Sequence, residues 1–94
     1  MTMRHNAKRP EDVAMEKRIA ARIFIWRRRK GISAPELAAR SGLHENTILR
    51  IENGNGCSAT SLAKIADGLC VSITVLVPKP QHVVAKMTNS LFET

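Results

Sequence analysis

The chain has 94 residues, enough for one small domain near the size at which a single core is just adequate, and 44% of them are apolar. Ten of its fifteen Lys and Arg lie in residues 1–30 against three acids, so the whole net charge of +7 resides there and the remainder is balanced. No apolar run approaches the roughly 20 residues of a membrane span and no apolar leader opens the chain, so the expectation is a soluble, cytoplasmic protein.

Cys57 and Cys70 lie outside any C-x-x-C spacing and the histidines are scattered at His5, His44 and His82, a pattern that implies no disulfide, no metal and no cofactor. Tyrosine is absent, no glycine-rich phosphate loop follows a strand, and no histidine stands in a recognisable spacing from a nucleophile, so an enzyme is not expected.

Taken in chain order, residues 1–11 are polar and read as a flexible basic arm. Asp12 to Lys30 reads as a long first helix whose core stripe is Ile19, Ile23 and Trp26, broken by Gly31. Arg28, Arg29 and Lys30 fall in its last turn, where cations suit the helix dipole. Phe24 and Ile25 lie off the stripe and point to a further partner surface. So much positive charge on a small helical protein suits a polyanion, because each phosphate neutralised releases condensed counterions.

Two short helices joined by a glycine turn follow, from Ser33 to Gly54. The Ser33 hydroxyl is placed to cap the first, Pro35 is tolerated in its first turn, Glu36 complements the positive dipole end, and Gly42 stops it. Glu45 to Asn53 resumes a helical pattern, with Ile48 and Ile51 facing Leu37, Ala38 and Leu43, and the small Ala38 permits a close approach. This is the grammar of a helix-turn-helix DNA reader.

After a turn-rich loop around Cys57, Thr60 or Ser61 is expected to cap a helix with the stripe Leu62, Ile65, Ala66 and Leu69. Cys70, between Leu69 and Val71, reads as plain core. Ser72 is expected to cap a last helix from Ile73 to Val77, closed by Pro78 and Pro80, and the tail from Gln81 to Thr94 reads equally as strand or helix.

The segments RRRKGIS (27–33), ELAARSGL (36–43), TILRIENG (47–54) and LAKIADGL (62–69) together resemble the lambda-repressor-like, Cro and XRE type helix-turn-helix proteins over Ile19 to Val77. The resemblance implies an all-α, compact five-helix domain over 12–77, with the motif at 33–54, a flexible basic arm at 1–11 and a short tail at 78–94. It makes the helix 44–53 the recognition helix, lying in the major groove of double-stranded DNA.

Carried over position by position, the base-reading candidates are His44, Glu45, Asn46, Thr47, Leu49 and Arg50. Asn46 suits adenine, Arg50 guanine or a phosphate, Glu45 the amino group of cytosine, and Leu49 or the Thr47 methyl a thymine methyl. Glu45 reads equally as a first-turn acid favoured by the dipole, Asn46 has the alternative of a solvated amide, and Arg50 and Glu52 have that of intramolecular pairs, Glu52 being the better suited to a structural role. The phosphate candidates are Arg27, Arg28, Arg29, Lys30, Ser33, Arg40, Asn53 and Asn55, the two asparagines reading equally as turn formers.

The chain departs from the family pattern in two places. Ala34 stands where a glutamine often reaches a phosphate, and His44 where a serine or threonine commonly caps the recognition helix. Phe24, Ile25, Val75 and Val77 stand where the family is often polar, and they and the tail at 78–94 are the candidates for a homodimer surface that would pair two half-sites. The function implied is a transcriptional regulator occupying a pseudo-palindromic operator. The alternative is an antitoxin that also binds a toxin, or another regulatory protein, through its tail. A membrane-surface role for the basic helix is disfavoured because Ile19, Ile23 and Trp26 are needed by the core.

Overall fold

In the computed structural model, residues 8–78 are described, and they form four α-helices and one 3-10 turn. The helices are α1 (Pro10–Arg29), α2 (Ala34–Ser41), α3 (Glu45–Glu52) and α4 (Ala59–Leu69), followed by the 3-10 turn Ile73–Val75. Most of the expected arm, the closure at Pro80 and the tail with its toxin-binding alternative lie outside the described residues. Among the described residues no helix is long and apolar enough to cross a membrane.

α1 starts at Pro10, two residues before the expected Asp12, so Pro10 and Glu11 belong to the helix and not to the arm. A proline fits the first helical position because its missing N–H has no intrahelical acceptor there. Glu11 and Asp12 then meet the positive end of the dipole, and Arg27, Arg28 and Arg29 the negative end. Gly31, at φ 69°, reverses the chain into α2.

At the head of α2 the Ser33 hydroxyl accepts a 3.1 Å hydrogen bond from the Glu36 N–H. Its end is Gly42 at φ 72°, with the Leu43 N–H donating back to the Ala38 carbonyl at 2.9 Å. A glycine adopts the positive φ of this closure at least cost, which favours the turn of the motif at Gly42. α3 ends at Glu52, and Asn53 is its C-cap.

Three sequence expectations are corrected beyond α3. The cap of α4 is Ser58, whose hydroxyl accepts from the Ser61 N–H at 3.1 Å, and not Thr60 or Ser61. Where the loop after Gly56 delivers the chain decides among three hydroxyl residues within four positions. Cys70 is not core: it is exposed, sits at φ 59° as the C-cap of α4, and leaves Val71 to donate to the Ala66 carbonyl at 3.0 Å. Cys57 is the thiol that packs against the core, and burial pushes its pKa up, keeping it neutral.

The expected fifth helix is one 3-10 turn over Ile73–Val75, in which Ser72 accepts from the Thr74 N–H at 3.3 Å. Three successive β-branched residues lower helix propensity, and Pro78 bars further extension. The turn still closes the core, because it delivers Leu76 to complete burial.

Every element contributes to that core. Ile23 of α1, Leu37 of α2, Ile48 of α3, Ile65 and Leu69 of α4, and Leu76 are all fully buried. Each such side chain stabilises the fold by about 1.5–3 kcal/mol relative to exposure. α2 lies between α3 and α4 as the most packed helix. The α2–α4 approach depends on Gly68, where an added Cβ would meet Leu37 Cδ1 at 3.2 Å and the Ser41 backbone nitrogen at 3.3 Å. Ser41 is buried beside it, its hydroxyl donating to the Leu37 carbonyl at 2.7 Å.

Candidate nucleic-acid interface

α3 turns Ile48 and Ile51 into the core and leaves Glu45, Asn46, Leu49 and Arg50 exposed on its outer side. Thr47 is half-buried at the edge. Leu49 is 41% exposed, an apolar side chain on an otherwise polar face. His44 is exposed at the N-cap, and its side chain makes no capping bond; the first-turn N–H groups of Thr47 and Ile48 are served by its backbone carbonyl.

The angle of α3 is held by an ion pair that the chain assembles from 25 residues apart. Arg27 donates from Nε to Glu52 Oε2 at 2.7 Å and from Nη2 to Oε1 at 3.0 Å. Its remaining Nη1 donates to the Ile32 carbonyl at 3.0 Å. The two side chains are only 11% and 8% exposed. Hydrogen bonding to Glu52 raises the Arg27 pKa, outweighing the opposing effect of burial. One guanidinium thus ties the end of α1, the α1–α2 turn and the end of α3 together. The phosphate contact expected of Arg27 is displaced by this inward geometry, and Glu52 takes the intramolecular role foreseen for it.

The other basic candidates divide. Arg28, Arg29 and Lys30 are exposed, with Arg28 5.6 Å from the centre of the Phe24 ring and Arg29 5.5 Å from that of Trp26. Such stacking holds a guanidinium in place while leaving its charge outward. Arg40 pairs with Glu36 at 2.8 Å on the surface of α2, a contact that contributes little in water. Ser33 is exposed at the head of α2, beside an open groove of about 390 Å³ bordered by Arg28 and Gly31.

The two asparagines after α3 also differ. Asn55 closes the turn, since both its backbone N–H and its side-chain amide donate to the Arg50 carbonyl at 3.2 Å. Asn53 is exposed, and with Lys17, Phe24 and Gly54 it borders a second open groove of about 400 Å³ between α1 and the end of α3. Lys17 was not singled out by the sequence, because 36 residues separate it from Asn53 and no local signal joins them.

Of the apolar candidates, Phe24 and Ile25 are 44% and 45% exposed and Val77 is 37% exposed. Val75 is half-buried against the core, and its carbonyl accepts from Arg22 at 3.1 Å, tying the C-terminal turn to α1.

Comparison with known proteins agrees with this geometry. A family model described as a helix-turn-helix domain matches residues 18–77. Three solved structures share the fold. An HTH_3 family transcriptional regulator from Vibrio cholerae is 29% identical with a TM-score of 0.67, over 69% of this chain and 37% of that one. The restriction-modification controller protein C.AhdI from Aeromonas hydrophila is 28% identical with a TM-score of 0.65, over 67% of this chain and 97% of its own. A hypothetical transcription factor from Neisseria is 25% identical with a TM-score of 0.67, over 84% of this chain and 92% of its own. No curated protein matches the sequence. With the model spanning most of the four helices and the motif residues in place, the chain belongs to the helix-turn-helix domain family, in its lambda-repressor-like, XRE-type form.

Proposed function

We propose that this protein is a sequence-specific DNA-binding transcriptional regulator that reads base edges with the outer face of α3. The observation that carries the reading is that face itself. Asn46 and Arg50, two side chains suited to bidentate base contacts, stand exposed with Leu49 between them on a helix whose opposite side is fully committed to the core. Arg28, Arg29 and Lys30 supply sequence-independent attraction to phosphates, and Ser33 and Asn53 mark the two edges of the footprint. The relatives described as transcriptional regulators and restriction-modification controllers support a regulatory role.

A single module of this size buries on the order of 600–1,000 Å² against DNA, so a specific operator calls for two. Phe24, Ile25 and Val77 supply exposed apolar surface for a homodimer, with Val75 contributing only its outward edge. Two copies with recognition helices about 34 Å apart read a pseudo-palindrome.

The test is selection of bound duplexes from a random library at about 150 mM salt, where non-specific phosphate binding is already weakened. Recovery of an inverted repeat with half-sites one helical turn apart is the expected result. Binding that recovers no motif and merely decays with salt overturns the reading.

A further inference from the structure

We propose that Lys17, placed against the α3–α4 loop, forms with Asn53 a binding site for one DNA phosphodiester at the carboxyl end of the recognition helix. The proposal rests on the DNA-binding function argued above and adds Lys17, in the first half of α1, to the surface that touches DNA.

The placement comes from a close approach. Gly54, at φ 88°, lies so near α1 that a Cβ there would meet Lys17 Cγ at 3.3 Å. Lys17 therefore packs on Gly54, the residue that follows exposed Asn53, and Lys17 and Asn53 border the same open groove. Two carboxylates stand nearby, and either would ordinarily neutralise a lysine. Glu16 is held by Lys8 at 2.9 Å, and Glu52 by Arg27 at 2.7 Å. Among the described residues Lys17 has no acidic partner of its own. The Lys8–Glu16 pair lies under the same loop, since a Cβ at Gly56 would meet Glu16 Oε2 at 2.8 Å and Lys8 Nζ at 3.3 Å.

The outcome is an exposed ammonium with its local acids already neutralised, next to an amide donor, at the edge of the reading helix. A phosphodiester fits that set: one full negative charge, and several oxygen acceptors that the lysine and the amide can share. The same groove is lined by Ala20, Ala21 and Phe24, apolar surface suited to a lysine stem, and Lys17 is an exposed residue.

The experiment measures binding of the full chain to its selected operator and to an unrelated duplex across a salt series, for wild type, Lys17→Gln, Lys17→Arg and Lys64→Gln. Lys64 is exposed on α4 and serves as a cation away from the site. Lys17→Gln is expected to weaken both duplexes by the same factor, roughly fivefold at about 150 mM salt, and to lower the salt slope by about 0.9. Lys17→Arg retains most of the affinity, Lys64→Gln leaves it unchanged, and circular dichroism shows all variants folded.

A scan of operators carrying one neutral methylphosphonate locates the contact. At one position the Lys17→Gln effect disappears, and at that same position Asn53→Ala also loses its effect. An unchanged salt slope, or a loss that no single neutralised phosphate cancels, overturns the site, while recovery of the operator motif leaves the DNA-reading function standing. Salt-dependent binding without any motif overturns the DNA-reading function itself, whereas the Lys17 coupling is then still read on phosphates of arbitrary sequence. Absence of any binding to duplex DNA overturns both.

Discussion

Arg27 shows how far one side chain's role departs from its neighbours' in an unbroken basic run. Four cations occupy 27–30, yet only Arg27 turns inward, where Glu52 and the Ile32 carbonyl accept one hydrogen bond from each of its three nitrogens. Removing Arg27 leaves the largely buried Glu52 carboxylate without its partner, so Arg27→Ala is expected to lower stability by about 1–3 kcal/mol. Chemical denaturation checks this, and Arg28→Ala should be nearly neutral in the same assay. Cys70 is the reverse case, a residue in a conformation that suits another. Its φ of 59° costs about 1 kcal/mol for a side chain with a Cβ, so Cys70→Gly should raise the melting temperature by several degrees. An unchanged or lowered value would mean the strain is absent.

At the scale of elements, the helix-turn-helix is held from behind by α4. Ser41 and Leu37 on α2 lie against Gly68, and the nearest neighbour on one side is a backbone nitrogen that cannot rotate away. In an open helix Gly68→Ala would gain about 1 kcal/mol. Here overpacking opposes that gain with about 1–3 kcal/mol, and the expected outcome is net destabilisation together with weaker DNA binding as α2 shifts. Thermal unfolding and operator titration of the one variant test both parts. A stabilised variant with full affinity would show that the α2–α4 contact has slack.

At the scale of the whole molecule, the charge asymmetry and the reading face separate two kinds of binding energy. Arg50→Ala is expected to cost roughly 1–3 kcal/mol on the preferred operator and to flatten preference at one base position. Neutralising Arg28, Arg29 and Lys30 together should instead weaken every duplex alike and reduce the salt slope. Arg27 stays out of that set because its loss would be read as unfolding. If both variants act identically on all sequences, α3 is not the reading helix.

The sequence by itself determined the helical class, the Ser33 and Gly42 boundaries of α2, the inward Ile48 and Ile51, and the outward residues of α3. These are local properties: a cap, a positive-φ glycine and a period of 3.6 residues each act within one or two turns of chain. Only the tertiary structure decided that Arg27 belongs to Glu52, that Lys17 lies beside Asn53, and that Gly68 admits α2. Each of those pairings joins residues from 25 to 36 positions apart. The same limit explains Cys70 and the last turn. Apolar neighbours in sequence suggested burial of Cys70, and the Ser72 cap with the closing prolines suggested a fifth helix, but α4 closes with a left-handed residue at 70, and one 3-10 turn is enough to bring Leu76 to full burial beside half-buried Val71 and Val75. Composition says that a small basic protein has a core and a charged face; which side chain serves which is set by the space left when four helices pack.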